Sequence, residues 1–203
     1  MTAIFKREFK SCFTGMIGWV IAAVSLFFLG LYFTNRNLLY ASSDFASVLY
    51  TMTMILLFLL PAISMRSFAE ERKNRTDQLL LTRPVSVVGI VLGKYFALCV
   101  IFALPCLVDA GMILVLKALG ATGTSTLANF SALLCYYLMG CAAIAIGVFL
   151  SSLTENQIIA AVSGVAALLL AYMMPSLRTM FTTGSAVALA LFTAIAAVLS
   201  VVA

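Results

Sequence analysis

A single carboxylate lies deep within one of the long apolar runs of this 203-residue chain. Asp109 belongs to the run 85–116, whose only other charged residue is Lys94. Ionisable side chains at such positions are energetically costly and often mark a substrate or proton path. Lys117 follows eight residues later, about 12 Å along a helix, so no direct ion pair with Asp109 is expected. Asp109 is therefore a candidate for a role in translocation. The alternative is a carboxyl group that faces a hydrated vestibule or bonds a serine or threonine of a neighbouring helix.

The residues needed for the commoner catalytic and metal-binding chemistries are missing. The chain has no histidine, and its five cysteines form no C-x-x-C pair, so we expect neither a metal site nor a nucleophile–histidine pair. The phosphate-binding pattern G-x-x-x-x-G-K-[ST] is also absent, because residues 89–94 lack its final serine or threonine. We expect no enzyme activity and no bound cofactor in this chain.

The composition is typical of a membrane protein. Hydrophobic residues make up 64% of the chain and charged residues 9%, whereas a soluble domain has about half and about a quarter. A helix needs about 20 apolar residues to cross the bilayer. Six runs have this character: 16–34, 45–65, 85–116, 127–153, 158–174 and 185–203. We predict one domain over residues 1–203, an all-α polytopic transmembrane bundle of about six spans. The last run ends without a basic tail, as in a C-terminally truncated chain.

The positive charges predict the orientation. Cytoplasmic loops carry an excess of lysine and arginine, and nine of the twelve lie on one side when the N-terminus is placed inside. The outer connections would then be 35–44, 118–126 and 175–184. Because the net charge of +5 is divided among loops, the expected partner is the lipid bilayer and not nucleic acid.

The segment ahead of the first span is predicted to be an amphipathic interfacial helix. Phe5, Phe9, Cys12 and Phe13 share one face of such a helix, and the basic residues of 6–10 share the other. A helix of this kind lies in the membrane interface with its aromatic face in the acyl boundary. The alternative is that the segment extends the first span.

The largest polar insertion, residues 66–84, lies on the predicted cytoplasmic side. Its stretch from Ser67 to Glu70 fits a capping box, which favours a helix that starts at Ser67. Glu70 and Glu71 would then lie near a helix N-terminus, where the dipole favours negative charge. Glu71 and Arg75 have the spacing of an i,i+4 ion pair. The sequence therefore predicts a separate short cytoplasmic helix.

The C-terminal part of this insertion combines an apolar cluster with a helix stop. Leu79, Leu80 and Leu81 form the cluster, and Pro84 disfavours helix in the residue before it. The next helix is predicted to begin near residue 86. Its Lys94 is expected at the inner interface, with its stem in lipid and its ammonium group in water.

The insertion resembles the corresponding part of the ABC-2 type exporter permeases, in particular the gliding-motility and multidrug-export branch. The similarity is carried by SFAEERKNRTDQLLLTRPVS at 67–86 and VLGKY at 91–95. The stretch SSLTENQIIAA at 151–161 is similar to that family's inner turn between the fourth and fifth spans. The predicted N-terminal helix fits the same family.

The resemblance implies the transmembrane permease subunit of an ABC exporter, in the bacterial cytoplasmic membrane with its N-terminus in the cytoplasm. The helix 67–81 would be a coupling helix that binds a separate ABC ATPase subunit, and that subunit would carry ATP and magnesium. A second permease subunit, identical or different, would complete the pump. The implied partner-binding residues are Glu70, Glu71, Arg72, Arg75, Leu79, Leu80 and Leu81, with Glu155 and Asn156 in the second cytoplasmic turn.

Two other functions remain open from the residues themselves. The chain could be a secondary transporter that uses Asp109 for proton coupling, or a membrane assembly factor that transports nothing. Within the fourth run, Tyr136 and Tyr137 could line a path for an apolar substrate or serve as packing groups. Gly140 and Gly147 could let neighbouring helices approach closely.

Overall fold

The computed structural model describes residues 9–10, 14, 16–40, 42–73, 87–119, 125–154 and 156–182. Within these ranges the regular structure is helical. The elements are α1 Met16–Phe33, a π-helical segment Thr34–Leu39, α2 Ala46–Lys73, α3 Val87–Ala118, α4 Thr126–Leu153 and α5 Gln157–Thr182. Helices suit these sequences because a backbone in lipid must satisfy its amides and carbonyls internally.

Among the residues that the structure describes, five apolar helical segments have the length to cross a membrane. They are Gly18–Leu39, Ala46–Met65, Val88–Ala118, Thr126–Leu153 and Gln157–Ser176. The predicted all-α polytopic bundle is thereby confirmed for its first five spans. The sixth run, 185–203, and most of the predicted interfacial helix at the N-terminus lie outside the described residues.

The chain divides into two compact units, Met1–Val165 and Ala166–Ala203, with the boundary inside α5. The first unit contains α1 to α4 and the first turns of α5. Large apolar side chains cover its surface, and Trp19, Phe27, Leu107 and Phe149 are each more than 60% exposed. Such a surface is stable when it faces lipid chains instead of water. Helix α2 is the most buried element of this unit, with 56% of its membrane-length segment buried against 39% for α3 and for α4.

Small residues bring α2 and α4 close together. A Cβ atom at Gly147 would collide with the hydroxyl group and the Cβ atom of Ser64, so the contact requires glycine. One turn further along α4, the Ser151 hydroxyl donates a hydrogen bond to the Met65 carbonyl (3.0 Å). The predicted close approach at Gly147 is confirmed, and at Gly140 the neighbour is the ring of Phe102 on α3. Helix contacts in membranes gain from such small residues because dispersion contacts there replace the hydrophobic effect.

The connection between α1 and α2 is held by two buried asparagines. The Asn37 amide donates to the carbonyls of Ser42 (2.7 Å) and Asp44 (3.3 Å). On α4, the Asn129 amide donates to the Ser43 carbonyl (3.0 Å), and its oxygen accepts from the Phe45 amide (3.3 Å). The first turns of α4 therefore lie beside this connection, at what we call the 34–45 end of the bundle. The opposite end, where α4 meets α5, is called the 154–156 end.

Three predicted boundaries were wrong. Ser67 does not start a helix, because α2 continues without a break from Ala46 to Lys73 and its amides there bond within the helix. Residues 35–39 are π-helical instead of a loop. Helix α5 runs through Pro175 to Thr182, where an outer loop was predicted. A proline inside an apolar helix removes only one hydrogen bond, and membrane helices tolerate this loss.

Candidate functional site

A small apolar pocket lies inside the first unit, between α1, α2, α3 and α4. Its walls include Ser25, Leu56, Leu60, Phe102, Asp109 and Tyr136. Because α2 runs antiparallel to α1 and α3, residues far apart in sequence meet at this level of the bundle. The pocket is therefore a product of helix packing within the membrane-length segments and not of any one motif.

Asp109 is the charged residue of this pocket. Its side chain is only 5% exposed. Among the described residues its carboxyl group makes no hydrogen bond and no ion pair, and Lys117 lies exposed two turns further along α3. The predicted alternative of a bond to a neighbouring serine or threonine is thus not realised in these ranges. A buried ionisable group is costly unless a partner compensates it, so the pocket holds an uncompensated acid.

Aromatic residues of α3 and α4 form one side of the pocket. The rings of Phe102 and Tyr136 lie 5.9 Å apart at 44°. Tyr137 stacks on Phe102 at 5.9 Å and 6°, and its hydroxyl donates to the Cys99 carbonyl (3.4 Å). Of the two tyrosines considered from sequence, Tyr136 lines the pocket, while Tyr137 packs α4 against α3.

The serine of the pocket wall has an internal partner. The Ser25 hydroxyl donates to the Ala22 carbonyl of its own helix (2.9 Å). The other oxygen-bearing side chains that line the pocket are those of Asp109 on α3 and Tyr136 on α4. Cys106 lies one turn before Asp109 and also borders the pocket.

Lys94 contradicts the sequence prediction. It was expected to reach the aqueous interface, but its side chain is only 1% exposed. Its neighbours Gly93 and Ala97 are also buried, which places this face of α3 against the bundle. A lysine reaches the interface only from a face that looks towards lipid, so hydropathy alone could not predict this burial.

Asn156 has a structural role at the 154–156 end. Its side-chain oxygen accepts from the Ile158 amide (3.0 Å), and its carbonyl accepts from the Ala160 amide (3.0 Å). These bonds cap the N-terminus of α5. The predicted turn between the fourth and fifth spans is present, and Glu155 lies outside the described residues.

The predicted coupling residues are only partly described. Glu70, Glu71 and Arg72 belong to the last turns of α2, and their side chains lie outside the described part of the structure. Arg75 and the leucines 79–81 lie in the range 74–86, which is not described. The backbone of α2 nevertheless carries the charged run about 12 Å beyond the membrane-length segment that ends at Met65.

Comparison with protein families agrees with this architecture. The model of a family described as ABC-2 family transporter protein matches residues 33–202, which include α2 to α5 and the greater part of the pocket. No curated protein and no solved structure matches the chain. The family match confirms the resemblance drawn from residues 67–86, 91–95 and 151–161. With five membrane-length helices among its described residues and the family match, the chain belongs to the ABC-2 family of transporter proteins, as the multi-pass membrane permease of an ABC transporter.

Proposed function

We propose that this chain is the permease subunit of an ABC exporter, and that a separate subunit hydrolyses ATP. The observation that carries the proposal is the pocket enclosed by four helices of membrane length. Its walls suit an apolar substrate, and the family match supplies the transporter class. The absence of the G-x-x-x-x-G-K-[ST] pattern supports hydrolysis on another chain, which would hold ATP and magnesium.

The continuous backbone of α2 supports a coupling role for the segment that follows it. A helix that passes from the pocket wall to Lys73 without a break can transmit a movement along its length. We infer that residues 67–81, here called the coupling segment, bind the ATPase through Leu79, Leu80 and Leu81. The charged residues 70–75 would form a polar rim, and Glu155 and Asn156 a second contact. A second permease subunit, identical or different, would complete the transporter.

Co-purification tests this proposal. When the tagged chain is expressed with the ABC ATPases of the same genome, one ATPase should be recovered with it in about equal amounts. Hydrolysis by that ATPase should rise after both are reconstituted in lipid. A folded chain that recovers no ATPase would contradict the proposal. Transport that needs a proton gradient and no ATP would instead favour a secondary transporter, the alternative that the buried Asp109 supports.

Thiol labelling tests the orientation. We propose a bacterial cytoplasmic membrane with the N-terminus inside, because nine of the twelve lysines and arginines then lie in the cytoplasm. In a cysteine-free background, Tyr40→Cys and Thr122→Cys should react with an impermeant maleimide added to intact cells. Asn74→Cys should react only after the membrane is permeabilised. The reverse pattern would overturn the orientation.

A further inference from the structure

We propose that the Asp109 pocket binds a lipophilic organic cation, a compact apolar body that carries one positive charge. The inference rests on the proposed function and deepens it by assigning the substrate class. It is drawn from the chemistry of the pocket: the walls, the acid and the aromatic rings.

The apolar walls of the pocket favour an apolar ligand. They come from four helices, and Leu56 and Leu60 of α2 face the pocket together with Phe102 of α3. Since the hydroxyl of Ser25 already bonds the Ala22 carbonyl, a strongly polar ligand would find few partners on these walls.

The acid selects for a positive charge. Asp109 is 95% shielded from solvent, and no described residue forms an ion pair or hydrogen bond with its carboxyl group. A cation that enters the pocket supplies the missing counter-charge where the low dielectric strengthens the attraction. A neutral ligand would leave the carboxyl group buried without a partner, and an anion would be repelled.

The aromatic rings favour an organic cation over a metal ion. The rings of Phe102 and Tyr136 line the same pocket as Asp109, and aromatic rings attract ammonium and phosphonium groups. Alkaline-earth cations need about six oxygen ligands, and sodium also prefers an oxygen shell. The oxygen-bearing side chains that line the pocket, those of Ser25, Asp109 and Tyr136, fall short of that number.

The test is equilibrium binding of tritiated tetraphenylphosphonium to the purified chain in lipid nanodiscs, with empty nanodiscs subtracted. Nanodiscs enclose no compartment, so no membrane potential concentrates the cation. Asp109→Asn should weaken binding at least about tenfold, because it removes one partner of a buried charge pair. The matched control is Asp44→Asn, since Asp44 caps α2 through the Ala46 amide (3.1 Å) and asparagine can replace it there. This control should bind like the wild type.

A neutral analogue separates charge from shape. Tetraphenylmethane has nearly the same shape as the cation and should not displace it at equal concentration. Equal displacement would show a site for neutral apolar molecules such as lipid chains, and would overturn the proposal. Unchanged affinity in a folded Asp109→Asn variant would overturn it as well.

Two further measurements keep the test decisive. One uses a second variant in case Asp109→Asn does not fold, and the other separates a failure of the binding site from a failure of the export function. Leu56→Trp places a ring in the pocket and leaves the carboxyl group intact, so it should also block the cation; unchanged binding would place the cation elsewhere and overturn the site. Binding in nanodiscs needs neither ATP nor an ATPase. If an ATPase is recovered but no cation binds, only the proposed cation site is contradicted. If the cation binds but no ATPase is recovered, only the proposed exporter function is contradicted.

Discussion

Replacing Gly147 with leucine should prevent the native packing of α2 against α4. A Cβ atom at this position already collides with Ser64, so the larger side chain must push the two helices apart. Overpacking of a tight contact costs about 1–3 kcal/mol, and more when backbone must move. The separation would also break the bond from the Ser151 hydroxyl to the Met65 carbonyl. We expect a lower thermal midpoint and a smaller monodisperse fraction in detergent.

A glycine on an open face provides the control. At Gly111 on α3 an added Cβ atom meets nothing within 4 Å, so Gly111→Leu should leave the midpoint nearly unchanged. The milder Gly147→Ala should be rescued by Ser64→Gly, because the second change removes the colliding atoms. Equal midpoints for Gly147→Leu and Gly111→Leu, or strict additivity of the Ala and Gly changes, would contradict the described contact.

Replacing Leu79, Leu80 and Leu81 together with serine should abolish ATPase binding while the chain stays inserted and folded. The three leucines are the apolar part of the coupling segment, and a few buried apolar residues usually carry most of the energy of an interface. Insertion depends on the apolar spans, none of which is altered. The measurement is recovery of the ATPase with the tagged chain, together with stimulated ATP hydrolysis.

A change in the polar rim is the matched control. Glu71→Gln should lower recovery of the ATPase only slightly, because ion pairs at the rim of an interface contribute about 0–1 kcal/mol. Protease protection in membranes would report whether the triple variant is folded. Normal recovery and normal stimulated hydrolysis with a folded triple variant would show that the leucines serve another contact, such as the chain's own N-terminal helix.

The spans could be predicted from sequence because hydropathy depends on composition over about 20 residues. The helix limits could not be predicted with the same success. The capping-box pattern at Ser67 is compatible both with a helix start and with the interior of a longer helix. In the structure Ser67 lies in the interior of α2. Likewise Pro175 does not end α5, since lipid offers the backbone no alternative to helix.

The candidate site could likewise be predicted from sequence only in part. Asp109 was predicted because a lone carboxylate in an apolar run is conspicuous in sequence. Its surroundings were not, because Leu56 and Tyr136 reach the pocket only through the packing of α2 and α4 against α3. The burial of Lys94 depends in turn on which face of α3 meets the bundle, and the weak periodicity of an apolar helix does not reveal that face.

The contact between Ser64 and Gly147 ties α2 to α4 midway between the pocket wall and the end of α2. Leu56 in the pocket wall lies about 12 Å along the helix on one side of Ser64, and Lys73 lies about 14 Å on the other. Because α2 is also tied to α4 by the bond between Phe45 and Asn129, we expect a displacement at Lys73 to move the two helices together. Such a displacement would thus reach the pocket through two of the four helices that line it.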